Sequence, residues 1–138
     1  MSLIGFAEAE VGTVAPPLVK PAIEKVQLVK YAGASGDFNL IHTDDETARK
    51  VGLPGVIAHG MLSMGFLGQY ASELVGNRGY VRQLKVRFAG MVRPGDVLTC
   101  TGHVVAKNEQ EKTLTLAIQA ARDEGKPQTI GETTLQYL

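Results

Sequence analysis

Two hydrophobic periods divide the chain. From Gly60 to Val75 apolar side chains recur almost all round a helix: Met61, Leu62, Met64, Phe66, Leu67, Tyr70, Ala71, Leu74 and Val75. A helix without a polar face is buried on most sides, so this segment is the expected centre of the fold, and Gly76-Asn77 is expected to stop it. Beyond Gly79 the period falls to two. Leu84, Val86 and Phe88 alternate with Gln83, Lys85 and Arg87, the pattern of a half-buried strand. Further strands are predicted over 97–105, 113–121 and 128–137, the second of these with Leu114, Leu116, Ile118 and Ala120 on one face. Arg93-Pro94-Gly95-Asp96 has the form of a type II turn, with Pro second and Gly third. The polar linkers 107–112 and 123–127 are short enough for antiparallel neighbours.

The first half reads differently. Residues 1–22 are a lead-in rich in Gly and Pro, with one short strand expected at 18–20. Ile23, Val26, Val29 and Ala32 follow a helical stripe, so a helix is predicted over 22–31, broken by Gly33 and Gly36. Thr43 and Glu46 are spaced as a capping box for a helix over about 44–51, with Gly52 just past its end. Leu53-Pro54-Gly55 is a turn and 56–58 is extended. Helices first and an antiparallel meander afterwards make an α+β domain in which the sheet and the apolar helix bury each other. A curved sheet wrapped round one central helix satisfies both, and its open edge invites a second copy.

Composition narrows the function. The 138 residues suffice for one domain with its own core, 44% hydrophobic and 20% charged. Formal charge is zero, with no dense Lys/Arg run, so no nucleic-acid surface is expected. The one cysteine, Cys100, excludes an internal disulfide framework, is expected in the core, and suits a reducing, cytoplasmic compartment. No signal peptide, membrane span or repeat is visible.

Candidate chemistry concentrates between Tyr31 and Leu74. Asp37, Asn39 and His42 fall within six positions in a glycine-bearing loop, and His59-Gly60 stands at the threshold of the apolar helix. From the residues alone two readings are open: Asp and Asn as turn formers, or an acid/base site beside a helix N-terminus whose free N–H receives an anion. Gly65, Gly68 and Ser72 share one helix face, either a seam for close packing or one wall of a ligand pocket. His103 reads as an ordinary strand residue. Lys85, Arg87 and Arg93 are either a solvated face or contacts for a phosphate-bearing ligand.

The stretch Tyr31-Ala-Gly-Ala-Ser35-Gly36-Asp37-Phe-Asn39-Leu-Ile41-His42 resembles the signature of the MaoC-like dehydratases, or (R)-specific enoyl-CoA hydratases. Ala58-His59-Gly60-Met61 matches that family's second block and Arg93-Pro94-Gly95-Asp96 its third, so the likeness covers nearly the whole chain. Leu40 stands where the family usually has proline, and Met91 where proline is common; neither removes a functional group. Within the family, YAGASGD and AHGMLSMG look most like the catalytic subunit of two-subunit (3R)-hydroxyacyl-ACP dehydratases. The resemblance implies a hot-dog fold and reversible addition of water across a trans-2-enoyl thioester of CoA or ACP. Neither metal nor organic cofactor is implied, and the expected assembly is a homodimer or a heterodimer with a paralogue. It casts Asp37 and His42 as the acid/base pair, Asn39 as orienting their water, and the Gly60 N–H as donor to the thioester oxygen. Ser35, Gly36, His59, Met61 and Gly68 are expected along the substrate, His59 chiefly to hold the Gly60 turn. A non-catalytic acyl-binding subunit and a hot-dog thioesterase are the competing readings; for the latter, Glu73 is the only acid on the central helix.

Overall fold

The chain runs through β1 (Leu18–Val19), α1 (Lys25–Ser35), a 3-10 turn (Leu40–His42), α2 (Asp45–Lys50) and α3 (Gly60–Val75). A second 3-10 turn (Gly76–Arg78) leads to β2 (Gly79–Phe88), β3 (Thr99–Asn108), β4 (Thr113–Ala121) and β5 (Thr129–Tyr137). The computed structural model describes residues 3–123 and 126–138. The first two residues of the predicted lead-in, and positions 124 and 125 of the predicted linker 123–127, lie outside the described residues.

All five strands form one antiparallel sheet in the order β1-β3-β4-β5-β2. The predicted four-strand meander therefore holds only for β3, β4 and β5. Four residues join β3 to β4 and seven join β4 to β5, whereas ten residues, 89–98, separate β2 from β3. That connection is bonded elsewhere: Ala58 N–H donates to Val92 O at 2.7 Å, Gly95 N–H to Ile23 O at 2.7 Å, and Ile23 N–H to Asp96 O at 2.9 Å. Its Arg93–Asp96 turn closes with Asp96 N–H on Arg93 O, and Gly95 takes φ +95°, the value a type II turn requires there. β2 instead lies on β5 at the sheet edge, with a register shift between Val81 and Gln83. Gly131 permits this, because a Cβ there would strike the Lys85 carbonyl and Val86.

α3 packs on four of the five strands, β2 to β5. Leu67, Tyr70, Ala71 and Leu74 face Cys100, Val104, Leu114, Leu116, Ile118 and Leu135, all fully buried or nearly so. Burying a leucine stabilises by about 1.5–3 kcal/mol, so this layer carries most of the cohesion. The Tyr70 ring lies over Gly102, where a Cβ would sit 3.5 Å from Tyr70 Cε2 and only 2.9 Å from Ile118 Cγ2. Burial pushes the Tyr70 hydroxyl up to about 12. His103 lies exposed on β3, bridged to Val14.

Four further sequence expectations change. α3 is not enclosed on every side: Met61 is 55% exposed and Gly65 faces open space, so its small-residue face is free. α1 runs through Gly33 to Ser35 and buries Leu28 and Ala32, leaving Val26 and Val29 exposed. Ile23 misled the stripe, since it sits before the helix and is held by the 93–96 turn. The N-cap of α2 is Asp44, not Thr43: the Asp44 carboxylate accepts from Thr47 N–H and from the Thr47 hydroxyl. The predicted strand 97–105 begins and ends later, at Thr99 and Asn108.

Candidate active site

The loop after α1 is built by its own side chains. Gly36, at φ +76°, turns the chain out of the helix while its N–H still donates to Ala32 O. Three bonds then follow at a spacing of two. Asp37 N–H donates to Ser35 Oγ, Asn39 N–H to Asp37 Oδ1, and Ile41 N–H to Asn39 Oδ1, each at 3.2 Å. Such side-chain caps favour turns over helix or strand. They deliver the chain into the 3-10 turn that ends on His42.

His42 is buried, and it and Ile41 before it are each tied to the extended segment before α3. Ile57 N–H donates to Ile41 O at 3.1 Å, and the His42 Nδ1–H donates to Ile57 O at 2.7 Å. Because a carbonyl only accepts, Nδ1 carries a proton, and Nε2 holds the lone pair whenever the ring is neutral. Nε2 faces Asp37 Oδ2 at 3.8 Å, and the Asp37 carboxylate is half exposed. Asp45 braces the arrangement: its carboxylate accepts from Val56 N–H and from Lys25, both at 2.9 Å. The Val56 amide first, then the Lys25 ammonium, holds the Asp45 carboxyl below its ordinary value.

His59 completes the cluster. Its ring stacks on His42 with centroids 3.8 Å apart and planes 23° apart, and meets the edge of Tyr31 at 4.7 Å. Its Nε2–H donates to the Asp37 carbonyl at 3.2 Å, and its buried Nδ1 has no partner among the described residues. Burial above all, then the neighbouring His42, pushes the His59 basicity down, against the Asp37 carbonyl, which raises it. Asp37, His42 and His59 offer ligand atoms within 4.8 Å of one another. A metal bonds imidazole nitrogen at about 2.1 Å and in the ring plane. Rings stacked this closely, with planes only 23° apart, cannot both point at one such ion.

The remaining expected residues divide by position. Gly60 is the first residue of α3 and exposed, so its N–H precedes the intrahelical ladder. A Cβ there would sit 3.2 Å from the Phe88 ring. Ser35, Gly36 and Asn39 shape the loop. Met61 is exposed next to Gly60, and Gly68 lies two turns further along α3 with only Leu84 Cδ2, at 3.6 Å, in reach of a Cβ. Sequence reasoning missed Tyr31, Asp45, Ile57 and Phe88 as members of the site. Each acts through a partner distant in the chain, for which no local pattern exists.

A family model described as MaoC like domain matches residues 8–124. The chain belongs to the MaoC-like family. This MaoC-like chain is 34% identical over 119 residues to the peroxisomal hydratase-dehydrogenase-epimerase of Neurospora crassa, covering 79% of its own length but 13% of that protein. It is 33% identical over 95 residues to the (R)-specific enoyl-CoA hydratase of Rhodospirillum rubrum, covering 67% of its own length and 65% of that enzyme. The solved R-hydratase PhaJ1 of Pseudomonas aeruginosa superposes with a TM-score of 0.84 at 30% identity, over 99% of this chain and 86% of that one. The MaoC-like fold is thus the hot-dog fold. Among the described residues no helix is long and apolar enough to cross a membrane.

Proposed function

We propose that the chain catalyses reversible hydration of trans-2-enoyl thioesters, carried by CoA or ACP, to (3R)-3-hydroxyacyl thioesters. The observation that carries this reading is the pair of acceptors Asp37 Oδ2 and His42 Nε2, 3.8 Å apart and facing each other. A water at about 2.8 Å from both would subtend about 85°, near the angle between its own O–H bonds. Both protons then point at the pair, and an oxygen lone pair is left for C3 of the enoyl group. The pair takes one proton as the C3–O bond forms and returns one to C2, so it finishes unchanged. Meanwhile negative charge grows on the thioester oxygen, where the Gly60 N–H at the α3 terminus is the donor. Asn39, whose Oδ1 is occupied by Ile41 N–H, has its amide nitrogen left for the same water. The named hydratase relatives support the substrate class and the (R) outcome.

The competing readings fare less well. A binding subunit has no need of the Asp37–His42 pair. A thioesterase using Glu73 would place its carboxylate 13 residues from Gly60, about 20 Å along the helix, where it accepts from Gln69. Mixing the protein with a crotonyl thioester separates all three. Loss of the conjugated enoyl absorbance without free thiol is the expected result; thiol release means a thioesterase, and no change a binding subunit.

The site asks for a second chain. Asp37 of the pair is exposed, as are Phe38 and Leu40 in its loop, Gly60 and Met61 at the head of α3, and Phe88 and Met91 at and after the end of β2. Among the described residues β2 presents an unpaired edge ten residues long. A copy of this chain, or a paralogue, docked over that face would pair the edge and exclude water. Sedimentation at micromolar concentration is expected to give a dimer, and an active monomer would refute this.

The free face of α3 fits an acyl chain running from Gly60 past Gly65 to Gly68. A Gly68 Cβ would make ordinary contact with Leu84, and glycine inside a helix is about 1 kcal/mol less favourable than alanine. Gly68→Ala is therefore expected to hold or raise the melting temperature. Gly68→Leu is expected to keep activity on four-carbon substrates and to lose kcat/KM progressively with longer ones. A loss equal at all chain lengths, with destabilisation, would make this face a packing seam instead.

A further inference from the structure

We infer that His59 is a positioning residue that sets the geometry of the Asp37–His42 pair through two separate contacts, a hydrogen bond to the Asp37 main chain and a stack on the His42 ring. The first contact is Nε2–H on the Asp37 carbonyl at 3.2 Å, which pins the loop at the residue whose carboxylate must meet the water. The second is the parallel ring 3.8 Å from His42, which fixes the direction of the His42 Nε2 lone pair about the Nδ1 bond to Ile57. Tyr31 of α1 makes a further, edge-type ring contact with His59 at 4.7 Å, so His59 is held by α1 as well as by His42. His59 is also the residue before Gly60, at φ −61° and ψ 135°, so one side chain spaces the acid/base pair from the N–H of α3.

His59 is not a second base. With Nε2 donating to a carbonyl, Nδ1 is left as its lone-pair nitrogen, and Nδ1 is sealed from solvent without a partner. One nitrogen is committed to a main-chain carbonyl and the other is sealed, so neither is free to take a proton from the water. The orphaned Nδ1 also explains the choice of residue. Phenylalanine would stack without holding the loop, and glutamine would hold the loop without stacking. Histidine does both at the expense of one unsatisfied acceptor, a departure from the rule that buried polar atoms are paired. Burial first, then the neighbouring His42, lowers its basicity, which disfavours a second charge in the stack.

The inference rests on the hydratase reading for the reaction it serves, and its test separates the two. His59→Phe and His59→Gln are each expected to lower kcat about 10-fold with KM little changed, and to have almost no further effect in a His42→Ala background, because residues acting through one another are non-additive. Equal losses in both backgrounds would make His59 merely structural. A loss in His59→Phe as deep as that of His42→Ala would make it an acid/base group. Nitrogen NMR of histidine-labelled wild-type protein needs neither a folded variant nor an active enzyme. It is expected to find His42 protonated at Nδ1 and His59 at Nε2 near neutral pH; the opposite tautomer at either ring overturns the inference, whatever the enzyme assay gives.

Discussion

Asp37→Asn and His42→Ala are each expected to lower kcat by about 10²-fold or more, the usual scale for a general acid or base. Asp37→Asn is the cleaner probe. Its side-chain oxygen can still accept from Asn39 N–H, so the turn that presents position 37 survives while the carboxylate is lost. His42→Ala also strips the Ile57 carbonyl of its partner, a part-buried bond whose loss costs about 1 kcal/mol of stability. Its melting temperature should fall, and kcat is to be compared well below that point. The double variant should be little worse than the poorer single one, because both groups hold the same water and act as a unit. Near-full activity in either correctly folded single variant would dismantle the assignment.

Gly60→Pro is expected to lower kcat by about 10²–10³-fold, the effect of removing one oxyanion donor, while leaving the fold intact. Proline is favoured at the first position of a helix, whose N–H has no intrahelical partner. The residue before a proline must be extended, and His59 already is, at φ −61° and ψ 135°. Both conditions are met here, so the substitution removes the N–H without disturbing the helix backbone. Gly60→Ala is the control. It introduces the same Cβ, 3.2 Å from the Phe88 ring, yet keeps the donor. Because Phe88 is half exposed, its ring can give by the few tenths of an ångström required. The Pro/Ala ratio of kcat then reports the loss of the N–H together with the ring carbon that takes its place, and equal kcat in the two variants would remove Gly60 from the oxyanion role.

Much of this was legible in the sequence because it is local. The apolar run almost all round Gly60–Val75 and the alternation along β4 each reflect burial of a regular element, so both fall where the pattern puts them. The loop from Ser35 to His42 is equally local, its bonds spanning two residues at a time. What escaped is non-local. The partner of β2 depends on where residues 89–98 are bonded, which no period in β2 encodes. The buried stripe of α1 was misassigned because Ile23 is apolar for a tertiary reason, its contact with the 93–96 turn. The cap of α2 turned on a choice between two adjacent oxygens, Thr43 and Asp44, that propensity ranks nearly equal. In the site, the stack of His59 on His42 joins residues 17 apart in the chain, and only the fold brings them face to face.

The placement of β2 also dictates an order of assembly. β3, β4 and β5 can pair as successive hairpins, each closing a short loop, whereas β2 must find β5 across the length of two intervening strands. Closure entropy rises with the loop enclosed, and long-range pairings of this kind slow folding. The meander should therefore gain protection from hydrogen exchange first, and β2, carrying α3 with it, should dock last. Since Gly60 heads α3 and its neighbour His59 completes the cluster round His42, the last step of folding is also the one that creates the site. A chain caught before it would already hold most of its sheet and yet bind nothing.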